Sequence, residues 1–525
     1  MQAETLQLET KSNQPLHQAP ATRRQSSDWI ADLRAGVVVF LVALPLCLGI
    51  ATASGASPLS GLIAGIVGGI VVGLTGNSAL SVAGPAAGLT VIVFAAIQRL
   101  GFPGFLMATV LAGVIQFAAG VLRIGGIARM VPHAVVRGML AAIGILLLTR
   151  QLPTALGYTG ELSWKGITAG AGALDALQLG ALATASVAAA AMFAWRDYGK
   201  FKLRSAVPAE LIAVVVGMAS CALFAGSALS VPQAQLVTLP LIRDAALGDL
   251  WTKPDFSMLF TPAIWTTALV LSCVASIESL LCVEATDRID PKRRITDPSR
   301  ELIGQGLANA SSGLLGGLPV TAVVVRSFTN LQAGARSRWS AVIHGVFLLA
   351  ALAFLGPLLN FIPLATLAVV LSVVAYKLTP PRLYTEMWRL GKDQFIPFIA
   401  TVVAVVATDL MTGTLTGLVV AVVYAVWKEY RAAVIIVDDG GHRLIRFASN
   451  IWFLHKVLLR EALFSSFQRG TRYVLLDGTA ARRVDPDVID LIREFSEHAA
   501  ARGVEFSIYR SASAAVPFFR EEANA

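Results

Sequence analysis

The chain has 525 residues, of which 55% are hydrophobic and only 14% charged, with a mean hydropathy of +0.68. Soluble domains carry about 25% charged residues, so the composition excludes an ordinary soluble protein. The net charge of +9 sits in short loops between apolar runs, the positive-inside pattern of a membrane protein and not a nucleic-acid footprint.

Residues 1–30 are polar, with Lys11, Arg23 and Arg24 and without an apolar core or cleavage site. They read as a cytoplasmic N-terminal segment and not as a signal peptide. Residues 31–431 then read as a transmembrane transport domain. It holds fourteen apolar segments, at about 35–54, 59–75, 79–97, 103–122, 131–150, 173–195, 207–230, 262–284, 302–316, 318–332, 339–356, 360–377, 394–411 and 413–429. With the N-terminus inside, every even-numbered connection is cytoplasmic. Those connections hold the basic runs at 123–129, 196–204, 287–294, 336–338 and 377–392, whereas 157–172 and 230–261 are poorer in Lys and Arg. The asymmetry predicts an even number of spans, both termini cytoplasmic and, for a bacterial chain, a multi-pass inner-membrane protein.

Two pairs of proline-broken segments recur at similar offsets. Pro132 and Pro363 are 231 positions apart, and Pro85 and Pro319 are 234 apart. Two repeats follow, at about 31–230 and 258–431, each of seven spans. Seven is odd, so the second repeat is inverted relative to the first, as in many secondary transporters. After Arg431 the composition becomes that of a soluble domain. Residues 471–477 and 504–509 read as buried strands, and 485–503, with an acidic start, an early Pro and a terminal Gly, reads as an amphipathic helix. Residues 432–525 therefore form a small cytoplasmic α/β domain.

The broken segments carry the chemistry. Gly84 and Pro85 make an uninterrupted helix across 79–97 implausible, because Pro lacks an N–H and disfavours a helical predecessor. Helices over 86–97 and 321–332 are each about 18 Å long, and both start near the midplane. Two such N-termini facing one cavity present free N–H groups and positive partial charge, a site for an anion. The alternative is that Gly and Pro merely let helices pack closely. Arg326, inside the second half-helix, is a costly intramembrane charge. It is either a fixed cation beside the anion or the ion-pair partner of Glu278, which lies about 14 Å deep in the eighth segment. Glu278, in turn, is either that partner or a proton or Na⁺ coupling site. His133 and His344, near span ends, read as satisfied packing residues, and Asp409 as part of a tight turn over 408–413. Cys47, Cys221, Cys273 and Cys282 lie in apolar segments without metal or disulfide spacing. Paired carboxylates, Cys/His clusters and phosphate loops are missing in any fitting context, so neither an enzyme nor a cofactor is expected.

The sequence resembles the SulP family of anion transporters. The resemblance rests on 44–50 (Leu-Pro-Leu-Cys-Leu-Gly-Ile), 81–85 (Ser-Val-Ala-Gly-Pro), 301–309 (Glu-Leu-Ile-Gly-Gln-Gly-Leu-Ala-Asn), 316–321 (Gly-Gly-Leu-Pro-Val-Thr) and the C-terminal domain. That last part is similar to a STAS domain, with 474–479 leading to Asp485 as its strand and loop. The resemblance implies a polytopic α-helical membrane protein of 14 spans as a 7+7 inverted repeat with core and gate domains, a homodimer, and elevator-type alternating access. The anion then lies between the third and tenth helices, against Ala83, Gly84, Pro85, Ala86, Ala87, Val324, Val325 and Arg326. Glu278, Cys282 and Thr321 are the implied ion-coupling positions. Cys282 stands where Na⁺-dependent members carry a hydroxyl residue, which favours H⁺ over Na⁺. Val325 replaces a polar residue of prestin-like members. Asp485-Pro-Asp487 lacks the phosphorylatable Ser of anti-sigma antagonists, so a cytoplasmic partner at the STAS domain would not act through a phospho-switch there. The runs at 44–50 and 286–294 are most similar to the subgroup linked to carbonic anhydrase, which favours bicarbonate over sulfate. Two other functions fit part of this pattern: a nucleobase permease of the same fold, and a membrane anion sensor that signals through the STAS domain.

Overall fold

A computed structural model describes residues 26–126, 132–158, 177–197, 207–239, 252–481 and 483–509. It divides into two compact units. The first comprises the chain up to residue 383, except 133–138, together with 405–411; the second comprises 133–138, 384–404 and 412 onward.

The first repeat runs through α1 (Ser26–Ala53), α2 (Pro58–Thr75), strand β1 (Ala83–Pro85), α3 (Thr90–Val121), α4 (His133–Ala155), α5 (Leu179–Asp197) and α6 (Ala209–Leu223). Gly101, at φ 70°, breaks α3 into two spans. The second repeat runs through α7 (Pro262–Ile289), α8 (Pro298–Leu314), strand β2 (Val320–Ala322), α9 (Val324–Gln332), α10 (Trp339–Phe354), α11 (Leu364–Leu378), a short α12 (Pro381–Arg389), α13 (Lys392–Ala407) and α14 (Leu410–Ala432). Counting each strand with the helix that follows it, and the two parts of α3 separately, both repeats have seven spanning elements among the described residues. Among the described residues seven helical stretches, one of them α11 together with α12, are long and apolar enough to cross a bilayer. β1 pairs with β2 antiparallel, as an inverted repeat requires of equivalent elements.

Loop contacts in the first unit follow the expected parity. Arg338 Nη1 donates to Gly76 O at 3.2 Å, and Arg294 Nη1 to Arg336 O at 2.9 Å. Asp32, at the start of α1, accepts from the Arg336 and Ser337 amides at 2.7 and 3.0 Å and from the Ser337 hydroxyl. Lys377 meets Glu210 at 3.4 Å. Each of these joins two connections expected on one side. At the opposite end, the Val237 amide donates to Ile362 O at 2.9 Å and that of Asp255 to Pro103 O at 3.1 Å.

In the second unit, Arg137 pairs with Glu386 at 2.8 Å and Lys428 with Asp393 at 3.1 Å. Its C-terminal part is a four-stranded sheet, β3 (Val434–Asp439), β4 (His442–Phe447), β5 (Tyr473–Asp477) and β6 (Glu505–Tyr509), in sequential order. β3 and β4 form an antiparallel hairpin; β4, β5 and β6 are parallel, with α15 (Lys456–Gln468) and α16 (Pro486–Ala501) as crossovers. The expected β5–α16–β6 unit is present. The Asp485 carboxylate caps α16 by accepting from the Asp487 amide at 3.1 Å. The β3–β4 hairpin and α15 were not anticipated. The hairpin's tip is Gly440-Gly441, both at positive φ, where glycine costs no Cβ clash. Arg443, buried under the sheet, donates to Asp438 and also to Ala462 O at 2.8 Å. The Arg443 guanidinium beside Asp438 holds its carboxyl below the usual range.

Val474, Leu476, Leu491 and Phe495 centre a core of this domain's own. Phe495 is fully buried and in ring contact with Phe464, Phe467 and Phe506. Phe495→Ala is expected to cost the domain about 3–5 kcal/mol. Denaturant titration of the full chain, followed by hydrogen exchange of the β5 and α16 amides, checks it; an unshifted C-terminal transition contradicts this assignment of the core.

Candidate functional site

The polar backbone of the two broken segments sets the geometry. A strand in an apolar core must bond its own N–H and C=O groups within the protein. β1 and β2 do so by pairing, with Ala83 opposite Ala322, Gly84 opposite Thr321 and Pro85 opposite Val320. The pairing continues where Val323 N donates to Val82 O at 2.9 Å.

Side chains from four helices complete the ribbon. Asn309 of α8 accepts from Val320 N at 2.6 Å and donates to Val320 O at 2.9 Å. Its amide also donates to Gln116 Oε1 at 2.7 Å. Ser279 Oγ of α7 accepts from Ala322 N at 3.1 Å. Within α9, Ser327 Oγ accepts from Val82 N at 3.0 Å, and Asn330 Nδ2 donates to Leu80 O at 2.9 Å. Glu301 is buried and accepts from the Asn77 and Ser78 amides at 2.8 and 2.9 Å, anchoring the loop that leads into β1.

Two helices leave the ribbon. One begins as a 3₁₀ turn at Ala87–Leu89 and continues as α3; the other is α9, which starts at Val324. The second half-helix is therefore shorter than the expected 321–332, about 14 Å at 1.5 Å per residue, because Thr321 is taken into β2. Val323, with φ −111° and ψ 120°, marks the change from strand to helix. Each of these helices starts within a few residues of the ribbon, and the first amides of a helix lack partners within it.

Arg326, the third residue of α9, is 0% exposed. Its Nη2 lies 3.4 Å from Cys47 Sγ and 3.5 Å from Pro85 O, while Nη1 and Nε have no partner. The guanidinium covers Gly84: a Cβ there would stand 2.0 Å from Nη1. Glu278 lies against the other helix start, with its oxygens 2.7 and 2.9 Å from where a Gly88 Cβ would be. Its Oε2 is buried and without a partner. Arg326 and Glu278 thus form no ion pair with each other, and that alternative is set aside.

The structure brings Ala83, Gly84 and Pro85 together with Arg326, and puts Ala86 and Ala87 at the head of the first half-helix. Val324 and Val325 open α9, Val324 being 45% exposed. Thr321 is buried with an unpartnered hydroxyl. Cys282 packs against Ala322, its sulfur 3.5 Å from Ser327 Oγ. His344 corrects an expectation. It lies inside α10 and not at its end, is fully buried, and neither ring nitrogen has a hydrogen-bond partner. The expected turn at 408–413 is shorter, since α14 starts at Leu410. Sequence reasoning missed Gln116, Ser279, Asn309, Ser327 and Asn330. Each is a polar side chain within an apolar span, which is the signal that could have found them.

The model of the Sulfate permease family matches residues 29–401. The chain is 31% identical over 402 residues to "Putative sulfate transporter YvdB" of Bacillus subtilis, covering 76% of this chain and 74% of the relative. It is 27% identical over 406 residues to "Bicarbonate transporter BicA" of Picosynechococcus, covering 74% and 69%. The solved transmembrane domain of a cyanobacterial BicA superposes with a TM-score of 0.65 at 25% identity, over 74% of this chain and 97% of that one. Murine Slc26a9 in the inward-facing state superposes at 0.73 with 16% identity, over 96% and 91%, a likeness of fold alone. A ribbon of two broken spans, an unpaired buried arginine over it and a family match across most of the membrane region lead to one conclusion: the chain belongs to the sulfate permease family and is a multi-pass membrane anion transporter, not an enzyme.

Proposed function

We propose that the protein is a secondary active transporter of a small inorganic anion, bicarbonate or sulfate, bound between β1, β2 and the first turns of α3 and α9. One observation carries this reading: Arg326 is fully buried without a carboxylate partner. An unneutralised cation at membrane depth is costly, and an anion beside it removes much of that cost. Both helix N-termini add positive partial charge of the same sign. The printed names of the relatives support the two anions.

Coupling is assigned to Glu278. Its carboxylate faces the same helix start that would face the anion, so loading a proton or Na⁺ there removes a repulsive charge from the site. Binding of cation and anion then favour each other, which is reciprocal linkage. Thr321, with a free hydroxyl, is a further ligand on this reading. Cys282 already contacts Ser327, and H⁺ is preferred over Na⁺. Alternating access by an elevator motion, a homodimer, cytoplasmic termini in the bacterial inner membrane and a STAS identity for residues 432–525 complete the proposal. The parallel β4–β5–β6 arrangement with its two crossover helices supports the last.

Arg326→Ala is expected to weaken anion binding roughly 10- to 100-fold, the scale of a lost hydrogen bond to a charged group. Gly84→Ala pushes the guanidinium off the ribbon and is expected to weaken binding about tenfold on the same scale. Isothermal titration of purified, folded variants with bicarbonate and sulfate reads both; native affinity in either variant contradicts the site. Glu278→Gln is expected to keep anion binding and lose uptake driven by a pH or Na⁺ gradient in proteoliposomes. Gradient-driven uptake that persists in this variant removes Glu278 from coupling.

A further inference from the structure

Away from the ribbon, α4, α5 and α11 enclose a groove of about 710 Å³. Its origin lies in the sequence of α5, whose face toward the groove carries Ala185, Ser186 and Ala189. At one end Ala155, Ala181 and Ala365 let the three helices pack closely. Toward the other end Phe193 and Tyr376 flank an opening. From Leu182 to Arg196 the groove follows about 21 Å of helix, more than the ~15 Å of one hydrocarbon leaflet.

Apart from Ser186 and Ser372, the walls are apolar except at the open end. There the groove is lined by Arg196, at the end of α5, and Lys377, at the end of α11. Both helices start at the alanine-packed end, so the two cations lie together. Arg196 is 5.4 Å above the Phe193 ring. Lys377 is about half exposed and meets Glu210 only at 3.4 Å, which leaves donors for a second acceptor. Ser372 also lines the groove, and its buried hydroxyl has no partner. It precedes Lys377 by five residues, about 7.5 Å deeper along the helix.

We infer that this groove is a binding site for an anionic phospholipid. One acyl chain lies along the alanine face of α5, the phosphate sits between Arg196 and Lys377, and the Ser372 hydroxyl donates to an ester carbonyl beneath it. From open end to closed end the groove presents two cations and then a mainly hydrocarbon wall, interrupted by the Ser372 and Ser186 hydroxyls, which suits a phosphate headgroup and its ester region above an acyl chain. The cationic end belongs to the connections rich in Lys and Arg, and basic pockets between helices on that side recognise acidic headgroups. A water-filled vestibule would not have these apolar walls, and a neutral lipid would not need two cations.

The test uses the full chain in nanodiscs of phosphatidylcholine and phosphatidylglycerol, followed by detergent extraction and mass spectrometry of the retained lipid. The wild type is expected to retain phosphatidylglycerol over phosphatidylcholine by on the order of tenfold, since each cation at a membrane surface favours an anionic lipid by a factor of about five. The double variant R196Q/K377Q is expected to lose the preference, and E210Q to keep or raise it. Ala189→Trp fills the trough, leaves the charges in place and is expected to abolish retention, which covers the case of a double variant that fails to fold. Equal retention of both lipids by the wild type, or an unchanged preference in R196Q/K377Q, overturns the assignment. So does a groove occupied by a second copy, seen as a dimer that Ala189→Trp splits with no change in bound lipid.

Discussion

Everything at the centre of this protein depends on satisfying backbone polar groups where water is scarce. A helix does this within itself, but Gly84-Pro85 and Leu318-Pro319 forbid a continuous helix through either segment. The two interrupted segments therefore satisfy each other. Gly84 pairs with Thr321, and Asn309 takes both the N–H and the C=O of Val320. An unmade hydrogen bond at such a site costs about 1–3 kcal/mol, and Asn309, Ser279, Ser327 and Asn330 each bond a specific backbone atom of the ribbon or of the segment leading into it. The two helix starts that follow β1 and β2 are thereby tied to one ribbon.

This arrangement also explains why glycines recur around the ribbon. Gly68 faces the backbone of Ala83 and Gly84, where an added Cβ would come within 2.7 Å of Ala83. Gly65 lies against Cys47, the residue that touches the Arg326 guanidinium. The middle of α2 thus comes close against the ribbon from one side, at the point where its π turn begins, Gly68–Val72. The packing role of glycine and the anion-site reading are not exclusive here: close packing excludes water and so strengthens the field of the helix termini and of Arg326.

Much of this was legible in the sequence, for a physical reason. Proline and glycine act locally, so the breaks at Pro85 and Pro319, their near-equal offsets and the half-helix starts could be read from residue types alone. Arg326 was legible because a charge in an apolar run is rare. What could not be read was partnership. Nothing in the neighbourhood of Val320 says that Asn309 will hold it, because that contact is created by the crossing of α8 beside β2. The same limit applies to His344, which lies near a loop in sequence but is buried within α10. It applies to β3 and β4, whose charged residues Asp438, Arg443 and Arg446 mask a strand pattern that burial of Ile445 and Phe447 makes plain in three dimensions.

The two repeats share a backbone plan but not a chemistry. Both place a strand ahead of a helix start, and both helix dipoles present the same sign to the ribbon. In the second repeat the side chain at that start is Arg326, which adds positive charge; in the first it is Gly88, whose missing side chain makes room for the carboxylate of Glu278. A symmetric pair of arginines would have bound an anion without any means of responding to a cation, and a symmetric pair of carboxylates would have repelled it. On the function proposed above, inversion of the repeat supplies two donor sites, and the divergence of two side chains makes one of them suit an anion and the other its charge-compensating partner. That division rests on Gly88 as much as on Glu278, because a side chain at residue 88 would displace the carboxylate from the helix start it lies against.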